Sequence, residues 1–259
     1  KKATKQNLKA NNPSQQQLSS LLEYYQNGRF SDAENLAKSL TEIFPKHQFG
    51  WKMLGTVLKQ TGRVNEALVA NQTSVQLVPQ DADAHYNLGN TLKELGRLDE
   101  AEASFRQATT LEPDYAKAHN NLGIILQKLG RLDEAETRYR QAIAFKPDYA
   151  DAHYNLGDAL KELGRLDEAE ASFNQAISLK PTFAEAHCHL GITLQELGKL
   201  DEAEASYTQS IALKPDYADA HINLGGILLD KGHHREGLNE KLIGAGAISF
   251  DVNNGLSIL

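Results

Sequence analysis

Asn87–Phe105 reads NLGNTLKELGRLDEAEASF, and Asn155–Phe173 reads NLGDALKELGRLDEAEASF, so the chain repeats nearly the same string 68 residues later. A shorter period is marked by His85, His119, His153, His187 and His221, each 34 residues from the next, and by Pro45, Pro79, Pro113, Pro147, Pro181 and Pro215 on the same beat. A unit of this length that recurs without interruption cannot bury its own apolar face and must stack on copies of itself.

Inside one unit the apolar spacing is helical. Leu88, Leu92 and Leu95 mark one stripe, and Leu98, Ala101, Phe105 and Ala108 a second. Gly96 between them can take the left-handed conformation that ends a helix. Asp99, three residues before Glu102, predicts a capping box at the start of the second helix. Pro113 stops that helix, because it has no N–H to continue the ladder. Each unit therefore reads as helix, tight turn, helix, short turn.

A helical hairpin of 34 residues carrying Leu88-Gly89, Ala101, Phe105, Ala108 and Pro113, and again Leu122-Gly123, Ala135, Tyr139, Ala142 and Pro147, resembles the tetratricopeptide repeat (TPR) family. The resemblance implies an all-α fold, a right-handed TPR superhelix in which hairpins stack as an α-solenoid. Close approach of the paired helices is expected from Gly89 against Ala101, with Phe105 filling the wider gap beyond.

The expected organisation is a basic, polar leader over 1–13 and a TPR array over 14–244, followed by a tail over 245–259. The array divides into units 14–47, 48–81, 82–115, 116–149, 150–183 and 184–217, and a degraded unit 218–244 in which Gly237, Lys241 and Gly244 replace the usual alanine, aromatic and alanine. That replacement puts the packing of the last helix in question. In the tail, apolar runs flank Asn254-Gly255, a β-hairpin signal, and the hairpin is expected to begin a further domain or to cover the end of the array.

Function is sought where the copies differ. The residue after each histidine reads Tyr86, Asn120, Tyr154, Cys188 and Ile222, and the residue after each Leu-Gly reads Asn90, Ile124, Asp158, Ile192 and Gly226. By the resemblance, the first helices line a concave groove that these side chains face. The residue before Leu-Gly is Asn87, Asn121, Asn155 and Asn223, interrupted by His189. An asparagine amide both donates and accepts, so such a row could hold a peptide backbone regardless of sequence. The row is similar to the asparagine ladder of O-linked N-acetylglucosamine transferases; the alternative is a hydrogen bond between neighbouring helices. The candidate peptide-binding set is Tyr86, Asn87, Asn90, Asn120, Asn121, Tyr154, Asn155, Asp158, His189 and Asn223.

The formal net charge of −7 lacks the positive field that nucleic acid requires. No apolar run approaches the roughly 20 residues of a membrane span. A single cysteine, Cys188, excludes an internal disulfide framework and fits a cytoplasmic setting. Chaperone-binding members of the family grip a terminal carboxylate with basic residues, but Tyr86, Asp151 and Asn155 stand at those places, beside Asn90 and Asn121, so that clamp is absent. The repeated histidines read as packing residues at the position Trp51 fills in its unit, and no metal or cofactor is expected. No phosphate loop, Gly-x-Ser-x-Gly elbow or His-Glu-x-x-His helix occurs, so the chain by itself is not expected to be an enzyme. The leading expectation is a scaffold that binds an extended polypeptide or protein ligand. The alternatives are a self-assembling scaffold, as a homo-oligomer or filament, and the substrate-presenting arm of a larger enzyme such as a glycosyltransferase.

Overall fold

The computed structural model describes residues 12–246 and the strands at Ile248–Asp251 and Gly255–Ile258. Most of the leader therefore lies outside the described residues. The chain forms two compact units, Lys1–Ile125 and Leu126–Leu259. The first holds α1 (Gln15–Gln26), α2 (Phe30–Ile43), α3 (Gln48–Gln60), α4 (Val64–Leu77), α5 (Ala82–Glu94), α6 (Leu98–Leu111) and most of α7 (Ala116–Lys128). The second holds α8 (Leu132–Phe145), α9 (Ala150–Glu162), α10 (Leu166–Leu179), α11 (Ala184–Glu196), α12 (Leu200–Leu213), α13 (Ala218–Asp230) and α14 (His234–Gly244). Strands β1 (Ile248–Asp251) and β2 (Gly255–Ile258) pair antiparallel, Ile248 opposite Ile258 and Asp251 opposite Gly255, and β1 lies against α14.

In the first unit α1 pairs with α2, α3 with α4 and α5 with α6; in the second α9 pairs with α10, α11 with α12 and α13 with α14. Consecutive hairpins stack through the second helix of one and the first helix of the next, as α4 on α5 and α10 on α11. First helices also touch each other directly, α1 with α3, α3 with α5, α9 with α11 and α11 with α13. Among the described residues no two second helices of the same unit do so. Each unit thus has an inner face made of first helices and an outer face made of second helices. Their contact is lined with small residues, Ala101, Ala108, Ala169, Ala176 and Ala203 being fully buried.

The turn inside each hairpin is set by one glycine. Gly96 has φ 72, its N–H bonds to the Lys93 carbonyl at 3.1 Å and the Arg97 N–H to the Leu92 carbonyl at 2.9 Å, the two bonds of a Schellman cap. The capping box read from Asp99 and Glu102 is not formed. The second helix starts two residues earlier than that box requires, at Leu98, so Arg97 is its N-cap, with no side-chain cap, and Asp99 falls within the first turn. After so tight a turn, Asp99 is already helical and its carboxylate cannot fold back on the cap. Arg97 instead forks onto Glu100, with Nε to Oε1 and Nη2 to Oε2 both at 2.6 Å. The corresponding cation elsewhere also reaches back to the preceding hairpin. Arg165 Nη1 meets Glu136 at 2.6 Å and Lys199 Nζ meets Glu170 at 2.7 Å, while Arg63 pairs with Glu34. In Asp133–Glu136 the first glutamate thus pairs with its own hairpin's Arg131 and the second with the next hairpin's Arg165, while Arg140 bridges Glu136 and Glu168.

The ring of Phe105 does not stand in a gap beyond Gly89 but directly against it. A Cβ on Gly89 would come within 2.7 Å of the Phe105 ring, one on Gly157 within 2.9 Å of Phe173, and one on Gly191 within 2.6 Å of Tyr207. The glycine makes a seat for the aromatic ring, because a ring lying flat across the partner helix needs the volume that a methyl would take. The last hairpin closes differently. A Cβ on Gly237 would meet the Gly225 carbonyl at 2.8 Å, and one on Gly244 the Ala218 carbonyl at 2.8 Å. The two glycines thus bring backbones together where the other hairpins carry alanine, and the Lys241 stem, 2.7 Å from where a Cβ on Gly225 would lie, takes the place of the ring.

The periodic histidines have a defined task. Nε2 of His85, His119, His153 and His221 lies 2.9–3.0 Å from the carbonyl of the proline six residues earlier, and Trp51 Nε1 donates to the Pro45 carbonyl at 2.9 Å. A carbonyl only accepts, so each imidazole carries its proton on Nε2 there. Histidine and tryptophan are interchangeable at this position because both present a ring N–H at the same reach, and the bond ties the turn between hairpins to the helix that follows it.

Candidate functional site

The inner face is built from α1, α3 and α5 in the first unit and from α9, α11 and α13 in the second. The residue following the histidine is an interhelical packing position in the hairpins of Tyr86, Asn120, Tyr154 and Cys188, whereas Ile222 in the last hairpin is exposed. Tyr86 packs between the Phe105 and Tyr115 rings, at 5.9 and 5.0 Å between centroids, and Tyr154 between Phe173 and Phe183, at 5.8 and 4.9 Å. Asn120 is only 3% exposed and Cys188 is fully buried. Asn120 is therefore removed from the groove-facing set: its position points between hairpins, where Tyr86 and Tyr154 place their rings. Burial pushes the Cys188 thiol up to about 11, against a hydrogen bond from Tyr217, so the sulfur is protonated and unreactive near neutral pH.

The position before Leu-Gly reaches sideways to the preceding hairpin. Asn121 Nδ2 donates to Asn90 Oδ1 at 2.8 Å and approaches the Tyr86 hydroxyl at 3.4 Å. The same geometry recurs with other chemistry in the second unit, where His189 Nδ1 lies 3.1 Å from Asp158 Oδ1 and Nε2 lies 3.2 Å from the Tyr154 hydroxyl. Residues 86, 90 and 121 thus form one lattice and residues 154, 158 and 189 its counterpart. The hydrogen bond between neighbouring helices and a binding row are not exclusive. With both protons of Asn121 directed at Asn90 and Tyr86, its own oxygen and the Asn90 amide nitrogen keep unused capacity.

Asp158 is the most strongly perturbed acid of this face. Burial works against its charge, but hydrogen bonds from His189 and from Gln127 Nε2, at 2.9 Å, together with the Lys161 charge, hold its carboxyl down at about 2. Burial and the Asp158 charge push the Tyr154 phenol well above its ordinary value. Asn155 is held by a partner of its own, and the Asn87 and Asn223 side chains are partly exposed on α5 and α13.

The sequence reading missed Asn71. It stands at the position filled by Phe105, Tyr139, Phe173 and Tyr207, and the break in that aromatic series was its only sequence signal. Replacing the ring by a shorter polar side chain opens a recess of about 170 Å³ between α1, α3 and α5, lined by Tyr25, Thr56, Lys59, Asn71, Asn87 and Asn90.

Hairpins stacked on small-residue contacts, with a polar inner face, define a helical-repeat scaffold. A family model for the TPR repeat matches residues 55–96, 89–130, 125–164, 157–198 and 193–232, and the chain belongs to the TPR repeat family. No curated protein matches it in sequence. Among solved structures, a tetratricopeptide repeat protein from Parabacteroides merdae is 19% identical with a TM-score of 0.68, over 89% of this chain and 93% of that one. PilF of Pseudomonas aeruginosa is 18% identical with a TM-score of 0.68, over 74% and 88%. YrrB, described as a TPR protein with an unusual peptide-binding site, is 22% identical with a TM-score of 0.59, over 71% and 95%. At these identities the likeness establishes the fold. Among the described residues no helix is long and apolar enough to cross a membrane.

Proposed function

We propose that the inner face binds an extended polypeptide through its backbone. The observation that supports this most directly is the Asn90–Asn121 pair. Their mutual bond of 2.8 Å leaves the partly exposed Asn90 an amide nitrogen able to donate, and Asn121, 8% exposed, an amide oxygen able to accept at the edge of the face. An extended strand presents a C=O and an N–H in alternation, which is the complementary pair. The second unit offers Asp158, His189 and Tyr154 at the equivalent places, an acidic centre where the first has neutral amides. The test is titration of short unstructured peptides of unrelated sequence into wild type and into the variant Asn90→Ala/Asn121→Ala, read by calorimetry. Each lost hydrogen bond is expected to cost about 0.5–1.5 kcal/mol, with helicity retained. Unchanged affinity in the double variant sinks the reading.

Self-association is the second reading, favoured by Leu238 and Leu242 of α14, which are 55% and 44% exposed. Light scattering over a concentration series tests it, since a strict monomer at high micromolar protein removes it.

A further inference from the structure

The recess between α1, α3 and α5 carries an unusual polar arrangement. Asn71 is 1% exposed, and the orientation of its amide follows from the bonds around it. The Thr91 hydroxyl has one proton and donates it to the Asn87 carbonyl at 3.0 Å, so Thr91 Oγ1 accepts from Asn71 at 2.9 Å. The Asn71 atom at that bond is therefore nitrogen. Its oxygen turns to the opposite side, toward Gly55, and has no hydrogen-bond partner. A buried acceptor left unpaired is costly, and in a recess it marks where a donor belongs. Lys59 supplies the opposite polarity. Its Nζ is only loosely engaged, 3.7 Å from Glu94, and the Asn90 amide nitrogen adds a second donor.

We propose that this recess is a subsite for a primary carboxamide, the side chain of a glutamine or asparagine on the polypeptide that lies along the inner face. The subsite rests on that reading of the face. A carboxamide is the small side-chain group that donates and accepts in one plane, so its NH₂ can turn to the Asn71 oxygen while its C=O turns to Lys59. A carboxylate has no proton for Asn71, and an ammonium would face the Lys59 charge.

The experiment uses the full chain with propionamide, propionate and propylammonium as probes, followed by the side-chain amide resonances of Asn71 and Asn87. Propionamide is expected to shift them saturably, and the two charged probes to bind roughly fivefold more weakly or worse, the equivalent of one hydrogen bond. Asn71→Phe, which installs the ring the other hairpins carry, should abolish the response while keeping the helical spectrum. Lys59→Met, which leaves the packing at Asn71 untouched, should weaken propionamide and propionate and remove the penalty against propylammonium. Equal response to the three probes, or a response that survives Asn71→Phe, overturns the subsite and leaves the groove untouched. A separate titration with glutamine- and asparagine-free peptides, read at Asn90 and Asn121, reports the groove. Its failure overturns the polypeptide reading and with it the role of the recess in holding a peptide side chain.

Discussion

Gly191→Ala and Gly226→Ala are the same substitution in the first helices of neighbouring hairpins, and the structure gives them opposite signs. A methyl at Gly191 would stand 2.6, 2.8 and 3.0 Å from three atoms of the Tyr207 ring. That ring has no exposed surface and its hydroxyl is tied to Gln195 Oε1 at 3.1 Å, so it cannot swing away. Overpacking a fixed core costs about 1–3 kcal/mol, and the better helix propensity of alanine returns about 1 kcal/mol. The expected net loss is between nothing and about 2 kcal/mol, toward the upper end because the ring is fixed. At Gly226 nothing lies within 4 Å of the added methyl, so only the propensity gain remains, about 0.5–1 kcal/mol of stabilisation. Urea unfolding followed by circular dichroism reads both, provided midpoints are compared at equal slope, because a repeat array need not unfold in one step. Adding Tyr207→Leu to Gly191→Ala should relieve the clash and leave less than the sum of the two single losses. If Gly191→Ala stabilises the chain as Gly226→Ala does, the glycine is not a seat for the ring and the packing argument fails.

His153→Ala should lower stability by about 1 kcal/mol through the lost bond to the Pro147 carbonyl, and His153→Trp should recover most of it, as Trp51 shows the ring N–H can be supplied that way; thermal melts of the pair decide. Asp158 has a folded pKa of about 2 against an ordinary 3.8, so its stabilisation is present above about pH 4 and is lost as pH falls through 2. Asp158→Asn should therefore cost about 1–2 kcal/mol at pH 6 and progressively less toward pH 2, measured by urea midpoints across that range. Arg165→Gln removes an exposed bridge to Glu168 and a partly buried one to Glu136; a small drop in melting temperature is expected at low salt, shrinking in 1 M salt, and a salt-independent loss would contradict a purely ionic role.

The repeat, the helix pairs and the turns were legible in the sequence because a 34-residue unit prints its apolar stripes, its glycine and its proline again and again, and local chemistry suffices to interpret them. Gly96 at the turn needed only its freedom at positive φ. Asp99 was misread because capping depends on the residue at which the helix begins, and the Schellman turn moved that start back to Leu98, a matter of two residues that no spacing rule resolves. What tertiary structure alone decided are contacts between residues far apart in the chain. Gly89 seats Phe105, sixteen positions away; Arg165 finds Glu136 in the preceding hairpin; Asn121 reaches Asn90 thirty-one positions back. Periodicity assigns residues to a helix face but cannot say whether that face meets solvent or the next hairpin, which is why Asn120 read as a groove residue and lies buried. Asn71 shows the same limit: its break in the aromatic series is plain in the sequence, but the recess it opens exists only because α1, α3 and α5 converge on the space a ring would have filled.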